Sequence, residues 1–541
     1  MAHRPVQDPS RRMHVPTIAE LVRQHAQRAP DGVALRWPDA DFDRDAPSWR
    51  TVTWGDLEAK SDAFARGLRA RGTKAGARVA LFLRAGPEWL ALALACWKLG
   101  AVAVVTPRRL DAQRALQALR RARPQGLVGS PWLHRLRPLF ADAFASVELG
   151  VATGNPWLWG GVKLDELEEA GPPVALPEPD AEAHVLIELA EGVARTLSHR
   201  HLEARWGLPA ETRAMALETD WSRVLGHVAA GRPTVWPRSD PQLPSSLMPD
   251  DWRAAIAHHE VSVLVGGPEI FGRPPPDDVL GRLDHAVVVG PPLAGQRMEA
   301  WGDRLTGAIL TAVWEAADTG PVARIRAREV RTETLEKTRQ GAGYCVGRPV
   351  DGVTVDVVAI TEGPLASLPE APRVPGVMGE IVMSGPGAVI DYPDDAEHEE
   401  QVVVEDRWRR TGWLGTLDED GRIWLGGEID HRLETASGLV APLAVEGVFE
   451  GHPDLVDCVL VGIGPRGSEV PVLVVQLREG RSPSPDLEAR LRDRASGTTV
   501  RGIVRRFLVH PRIPLGAHGP DRTALRAWAE QRCSDLVREE S

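Results

Sequence analysis

Along most of this chain the apolar positions fall in short runs separated by punctuation residues. At 16–30, Ile18, Leu21, Val22 and Ala26 recur at helical spacing behind Thr17 and stop at Pro30, which predicts a capped helix. Runs at 33–37 and 51–54 predict strands. From 78 the pattern reads as a strand (78–83), Gly86 and Pro87 as punctuation, a helix (88–99) and a second strand (101–105). The same alternation returns at 261–265, 286–289 and 308–313, each run bounded by Gly or Pro, and predicts parallel strands covered by helices. The most apolar stretch, 89–105, is interrupted by Lys98 and Gly100 before it reaches membrane length. It is expected to be a buried helix entering a buried strand, not a span.

After about 350 the character turns β-rich, with apolar runs at 353–360, 379–383 and 422–425. Beyond Asp430 a compact α+β tail is predicted, with strands at 458–462 and 470–477 and a helix over 485–495. Pro/Gly-rich linkers are expected at 171–179, 274–278, 363–376 and 480–485. There is no internal repeat. The fold class that follows is α/β, a large layered N-terminal part with a small α+β C-terminal one.

The 541 residues suffice for several packed cores, and the formal charge of −11 comes from acids and bases mixed along the chain. Basic clusters such as Arg120, Arg121 and Arg123 alternate with acidic ones such as Glu397, Glu399 and Glu400. Neither nucleic acid nor an anionic membrane is therefore an expected partner. The start, MAHRPVQDPSRRMH, is charged but has no apolar run of the kind that directs export. Cys96, Cys345, Cys458 and Cys533 are scattered without metal-site or disulfide-framework spacing. A cytoplasmic location is the expectation.

The order of these pieces, with the strings TVTWGDLEAKSDAFARGLRARG (51–72), GEIVMSGP (379–386), DEDGRIWLGGEIDHRLET (418–435) and GLVAPLAVEGVFEGHPDLVDCVLVGI (438–463), resembles the adenylate-forming acyl-CoA synthetase superfamily over nearly the whole chain. The string GAGYCVGRPVDGVTVDVVAITEGPL (341–365) is most similar to the olefin-pathway β-lactone synthetases and related fatty-acyl ligases. The resemblance implies an N-terminal domain over 1–430, with a β-rich subdomain at about 350–430, and a mobile C-terminal lid domain over 431–541. Rotation of that lid carries a catalytic lysine into the site of active relatives.

The strings that carry the resemblance are packing and turn elements, and the chemical motifs depart from the family pattern. Active relatives hold ATP phosphates in a TSGSTGxPKG-type loop of backbone N–H groups, hydroxyls and a lysine. The matching segment here is HVLIELAEGVARTLSHRH (184–201), in which Gly192 survives and Arg195 stands roughly at the lysine position. Glu188 and Glu191 replace small hydroxylated residues. A carboxylate ~4 Å from a phosphate oxygen costs on the order of 4 kcal/mol at an effective dielectric near ~20. The plainer reading of this segment is a strand-to-helix connection carrying ordinary surface charges.

The YGxTE motif, which implies a ring for adenine, a threonine for phosphate and a glutamate for Mg²⁺, is matched by Trp314, Glu315, Ala316, Ala317 and Asp318. Trp314 can stack a base and Asp318 can reach a cation; alternatively Trp314 is an aromatic core residue. Where relatives hold the ribose hydroxyls with an aspartate, the chain has Trp413, which offers no acceptor. The arginine of the hinge string becomes Glu428, while the hinge Asp430 remains. The C-terminal lysine position is matched by Pro520, and Arg522 and Arg526 would reach it only by a shift of register. No intact catalytic residue is left.

His258 and His259 beside Glu260, and His199 and His201 near Glu203, lack a third ligand at sensible spacing, and there is no GxSxG elbow. The expectation is a ligase-fold protein that has lost ATP handling and acts as a binding or scaffold protein near fatty-acyl metabolism. It takes no cofactor, and an acyl ligand or a partner protein is its expected company, with no membrane span. The alternative is an active acyl-AMP/CoA ligase or β-lactone synthetase on a fatty or β-hydroxy acid. That protein would use ATP and Mg²⁺ through Arg195, Trp314 and Asp318, with Arg522 in place of the lysine. Thioester handling by the C-terminal part without adenylation is a third.

Overall fold

The computed structural model describes residues 16–39, 48–106, 112–154, 161–178, 180, 182–190, 192–206, 214–237, 249–271, 277–368, 374–389, 391–405, 407–516 and 519–533. Glu191, the start at 1–15 and the linker positions 179, 274–276 and 369–373 lie outside them. The first helix, Ile18–Arg28, begins on a reciprocal capping box between Thr17 and Glu20. Its capped start and its stop before Pro30 follow the sequence pattern.

Two large sheets carry the first 430 residues. One runs in the order Val162–Lys163, Leu149–Ala152, Gly126–Gly129, Arg78–Phe82, Val102–Val105, His184–Ala190, Val193–Ser198. Its neighbours are parallel except for the last pair, an antiparallel hairpin. Short strands buried at every position, such as Val102–Val105, need cover on both faces, which is why they read as unbroken apolar runs.

Pro87–Lys98 is the corresponding helix, apolar all round and buried. Lys98, fully buried at its end, is neutralised by Glu58 at 2.8 Å and Asp62 at 2.9 Å on the neighbouring helix Trp54–Ala70. Among the described residues no helix is long and apolar enough to cross a membrane.

The second sheet has a parallel half, from Thr234–Val235 through Ala216–Glu218, Val263–Gly266 and His285–Gly290 to Ile309–Ala316. It then turns antiparallel through Gly320–Arg326 and Tyr344–Pro349 into Ile423–Glu428, Trp408–Leu417, Gly379–Ser384 and Thr354–Val358. The β-rich stretch after 350 is thus hydrogen-bonded into the same sheet path.

Beyond Asp430 the chain forms a three-stranded sheet, Leu455–Ile463, Val470–Leu477 and Arg506–Val509. Apolar clusters on its two faces draw their buried members from 433–533. Polar ties join it to the preceding part: Arg297 donates to Asp457 at 2.7 Å and the Thr499 hydroxyl to the Gln340 carbonyl at 3.0 Å.

Candidate functional site

His184–Ala190 and Val193–Ser198 form a hairpin in which Glu188 and Arg195 are cross-strand partners. Gly192 takes a φ of +89° in its turn, a backbone that glycine adopts without strain, and its carbonyl accepts from Arg121 at 2.8 Å. The hairpin corrects the expectation of a strand-to-helix connection with surface charges. The helix His199–Trp206 begins only after the second strand, and Glu188 and Arg195 are both buried.

Burying a charge without a partner is costly, so each finds an opposite one. Arg205, on the helix after the hairpin, reaches the Glu188 carboxylate at 3.1 Å and the Gly387 carbonyl at 2.9 Å. The Arg195 guanidinium pairs with the Asp318 carboxylate, which also has His398 Nε2 at 3.8 Å. Burial alone would raise the Asp318 carboxyl; Arg195 and His398 outweigh it and bring it down to about 2. Asp318, the residue expected to reach a cation, is paired with an arginine. Among the described residues no group of three or more His, Cys, Asp or Glu is placed to hold a metal ion.

Trp314 sits at the end of Ile309–Ala316, where the pairing register with Gly320–Arg326 shifts, and is 1% exposed. Trp413 meets it edge to face, with ring centroids 6.1 Å apart and planes at 78°. A small cavity of about 10 Å³, room for one water, lies beside Trp314 among Val288, Leu293, Met298 and Ile325. Both tryptophans pack on one apolar cluster with Val322, Tyr344 and Ile381. Trp413 in turn lies opposite Glu428 across the strand pair, and Glu428 holds His431 at 3.0 Å. Asp430 is exposed in the short turn Ile429–His431.

The C-terminal candidates are occupied elsewhere. Pro520 forms an isolated bridge with Leu515. Arg522, offered as a stand-in for the lysine, is held by the buried Glu446 through two bonds of 2.6 and 2.9 Å and by the Leu460 carbonyl. Arg526 is held by Glu469 at 2.8 Å. Both guanidiniums are thus paired with acids of the C-terminal part, Glu446 on the helix Pro442–Phe449 and Glu469.

Three of the four weaker histidine candidates make local contacts. His201 Nδ1 lies 2.6 Å from the Ser198 hydroxyl, His258 contacts the Ala254 carbonyl, and His259 packs edge-on against Trp49.

The family model for AMP-binding enzymes matches residues 22–187 and 212–392. The chain belongs to the AMP-binding enzyme family. Members similar to it include an olefin beta-lactone synthetase of Stenotrophomonas maltophilia, 31% identical, with 95% of this chain and 98% of the relative covered. Another, from Xanthomonas campestris pv. campestris, is 30% identical over 95% and 97%.

Solved structures of this AMP-binding fold include a benzoate CoA ligase from Burkholderia xenovorans, with a TM-score of 0.76 at 18% identity, covering 95% of this chain and 100% of that one. The anthranilate CoA ligase AuaEII in complex with anthranoyl-AMP gives 0.78 at 16%, covering 96% and 98%. These likenesses establish the acyl-adenylating fold.

Sequence reasoning on the AMP-binding motifs missed Arg205, His398 and Tyr392. Tyr392 meets the His398 ring edge-on, with centroids 4.8 Å apart. No family motif marks them, and the approach of His398 to Asp318 joins residues far apart in sequence. Glu315 was noted only as a lost glycine, yet burial pushes its carboxyl up to about 7, against the pull of Arg223 and Arg205. A raised carboxyl favours folding most below its unfolded value, and that contribution is lost as pH climbs from about 4.5 to 7. Glu315→Gln is therefore expected to flatten this part of the stability–pH curve, measured as urea midpoints at pH values across that window. An unchanged slope would rule Glu315 out as its source.

Proposed function

We propose that this AMP-binding family member does not adenylate, and serves as an acyl-binding or scaffold protein related to the β-lactone synthetases. The observation that carries the reading is the Arg195–Asp318 pair. The two side chains best placed by sequence to serve phosphate and magnesium neutralise each other in a buried site. The surroundings support it: Glu188 has its own arginine, two tryptophans fill the space beside the sheet, and Glu428 stands where a cation would help. ATP with Mg²⁺ does not fit these residues, because a polyphosphate needs uncommitted donors and meets paired guanidiniums and carboxylates.

On this proposal residues 431–541 act as a lid hinged at Asp430, and its motion brings no lysine to the site. The acyl ligand or partner would bind between lid and body. Four buried cysteine thiols accord with a reducing, cytoplasmic setting.

A ligase activity is the competing reading, favoured by the names of the relatives that match over nearly the whole chain. Calorimetric titration with ATP and Mg²⁺, paired with thermal-shift measurement, separates the two. No heat and no stabilisation at millimolar nucleotide is the expected result. Saturable micromolar binding, followed by pyrophosphate release with a fatty or β-hydroxy acid, would overturn the proposal.

A further inference from the structure

The outward face of one helical segment carries a pattern that the nucleotide site does not use. Pro131–Leu136 runs directly into the 3₁₀ segment Arg137–Phe144, which kinks at Phe140, and Trp132, Leu136, Leu139 and Phe140 make an apolar stripe along the two. Such a stripe normally faces a core. Here the core side is taken by His134, Ala143 and Phe144, which are buried, while Trp132 is 64% and Leu139 74% exposed, with Phe140 at 37%. Exposed large apolar residues are unremarkable singly; three within one short segment form a patch.

The charge around this patch differs from that of the rest of the chain. Residues 111–148 contain six arginines against three acids, Asp111, Asp142 and Glu148, in a protein whose formal charge is −11. Arg121 and Arg123 are answered by Asp395 and Asp394, at 2.5 and 3.7 Å. Arg137 is turned inward, onto the Val147 carbonyl. Arg135 is exposed on the stripe itself, and Arg120 is exposed on Ala112–Ala122, the helix packed alongside.

We infer that this face docks on an anionic lipid surface, with Trp132, Leu139 and Phe140 entering the headgroup boundary and Arg120 and Arg135 meeting lipid phosphates. A tryptophan and aliphatic side chains flanked by arginine is the composition that settles at such an interface. A deformable bilayer accepts such exposed side chains without the matched groove that a protein partner would have to supply. The locally basic charge selects anionic over neutral lipid. The even mixing of charge along the chain argued against such a partner, but that average hides the asymmetry of this one face. The inference stands apart from the nucleotide site and holds whether or not the protein adenylates.

The test is sedimentation of the full-length protein with vesicles of phosphatidylcholine alone and of phosphatidylcholine mixed with phosphatidylglycerol. The protein is expected to pellet with the mixed vesicles, to be released by high salt, and to stay in solution with the neutral ones. Arg135→Glu is expected to weaken binding about fivefold or more. Trp132→Ser combined with Leu139→Ser should abolish it with an unchanged melting temperature, because both side chains are already in water. Failure of the wild-type protein to pellet, or pelleting of the double variant as well as wild type, would overturn the inference. So would binding to polyglutamate without binding to vesicles, which would identify an acidic protein as the partner.

Discussion

Replacing Arg195 with methionine is expected to destabilise the protein by about 3–5 kcal/mol, because it leaves the Asp318 carboxylate buried without its guanidinium. The urea midpoint reads this directly. Adding Asp318→Leu should restore most of the loss, since replacing both members of a buried pair by apolar groups is close to neutral. The opposite geometry gives a different number. An arginine kept for phosphate, facing an open cleft, would cost less than about 1 kcal/mol to remove. A small effect of Arg195→Met would therefore discard the idea that the pair closes the site. The pair also has a pH signature. The depressed Asp318 carboxyl contributes stability above about 4, and that contribution is lost as pH falls toward 2.

Trp314→Ala is the second large effect, again about 3–5 kcal/mol, from lost burial and the cavity left behind. The space beside Trp314 is already as small as a single water, so its neighbours have little slack with which to collapse. A ring held ready to stack a base in a wet cleft would be exposed on one face, and its removal would be mild. Denaturation of the purified variant decides between the two, with a loss under about 1 kcal/mol counting against the filled-site reading.

The strand-and-helix alternation of the first 430 residues was legible because parallel strands with both faces covered leave unbroken apolar runs, as at Val102–Val105. The C-terminal sheet was legible at Val470–Leu477 because apolar clusters cover both faces of that strand, although it pairs antiparallel with Leu455–Ile463. The hairpin at Glu188 and Arg195 was not, because a charged residue inside an apolar run reads as surface until its partner is known. Both partners, Arg205 and Asp318, are set by tertiary approach and not by sequence spacing. Trp413 was recognisable as a lost acceptor, but its contact with Trp314 depends on how Trp408–Leu417 and Ile309–Ala316 lie within one sheet path.

The two charge pairs have a consequence for descent. A lineage that regained a small hydroxylated residue at Glu188 would strand Arg205, and one that changed Asp318 alone would strand Arg195. If the chain does not adenylate, as proposed, each single step back toward a nucleotide-handling site passes through a less stable intermediate, whereas paired changes do not. The ion pairs behave as a ratchet: once both halves are in place, ordinary selection for folding keeps them, without any selection on what the protein binds.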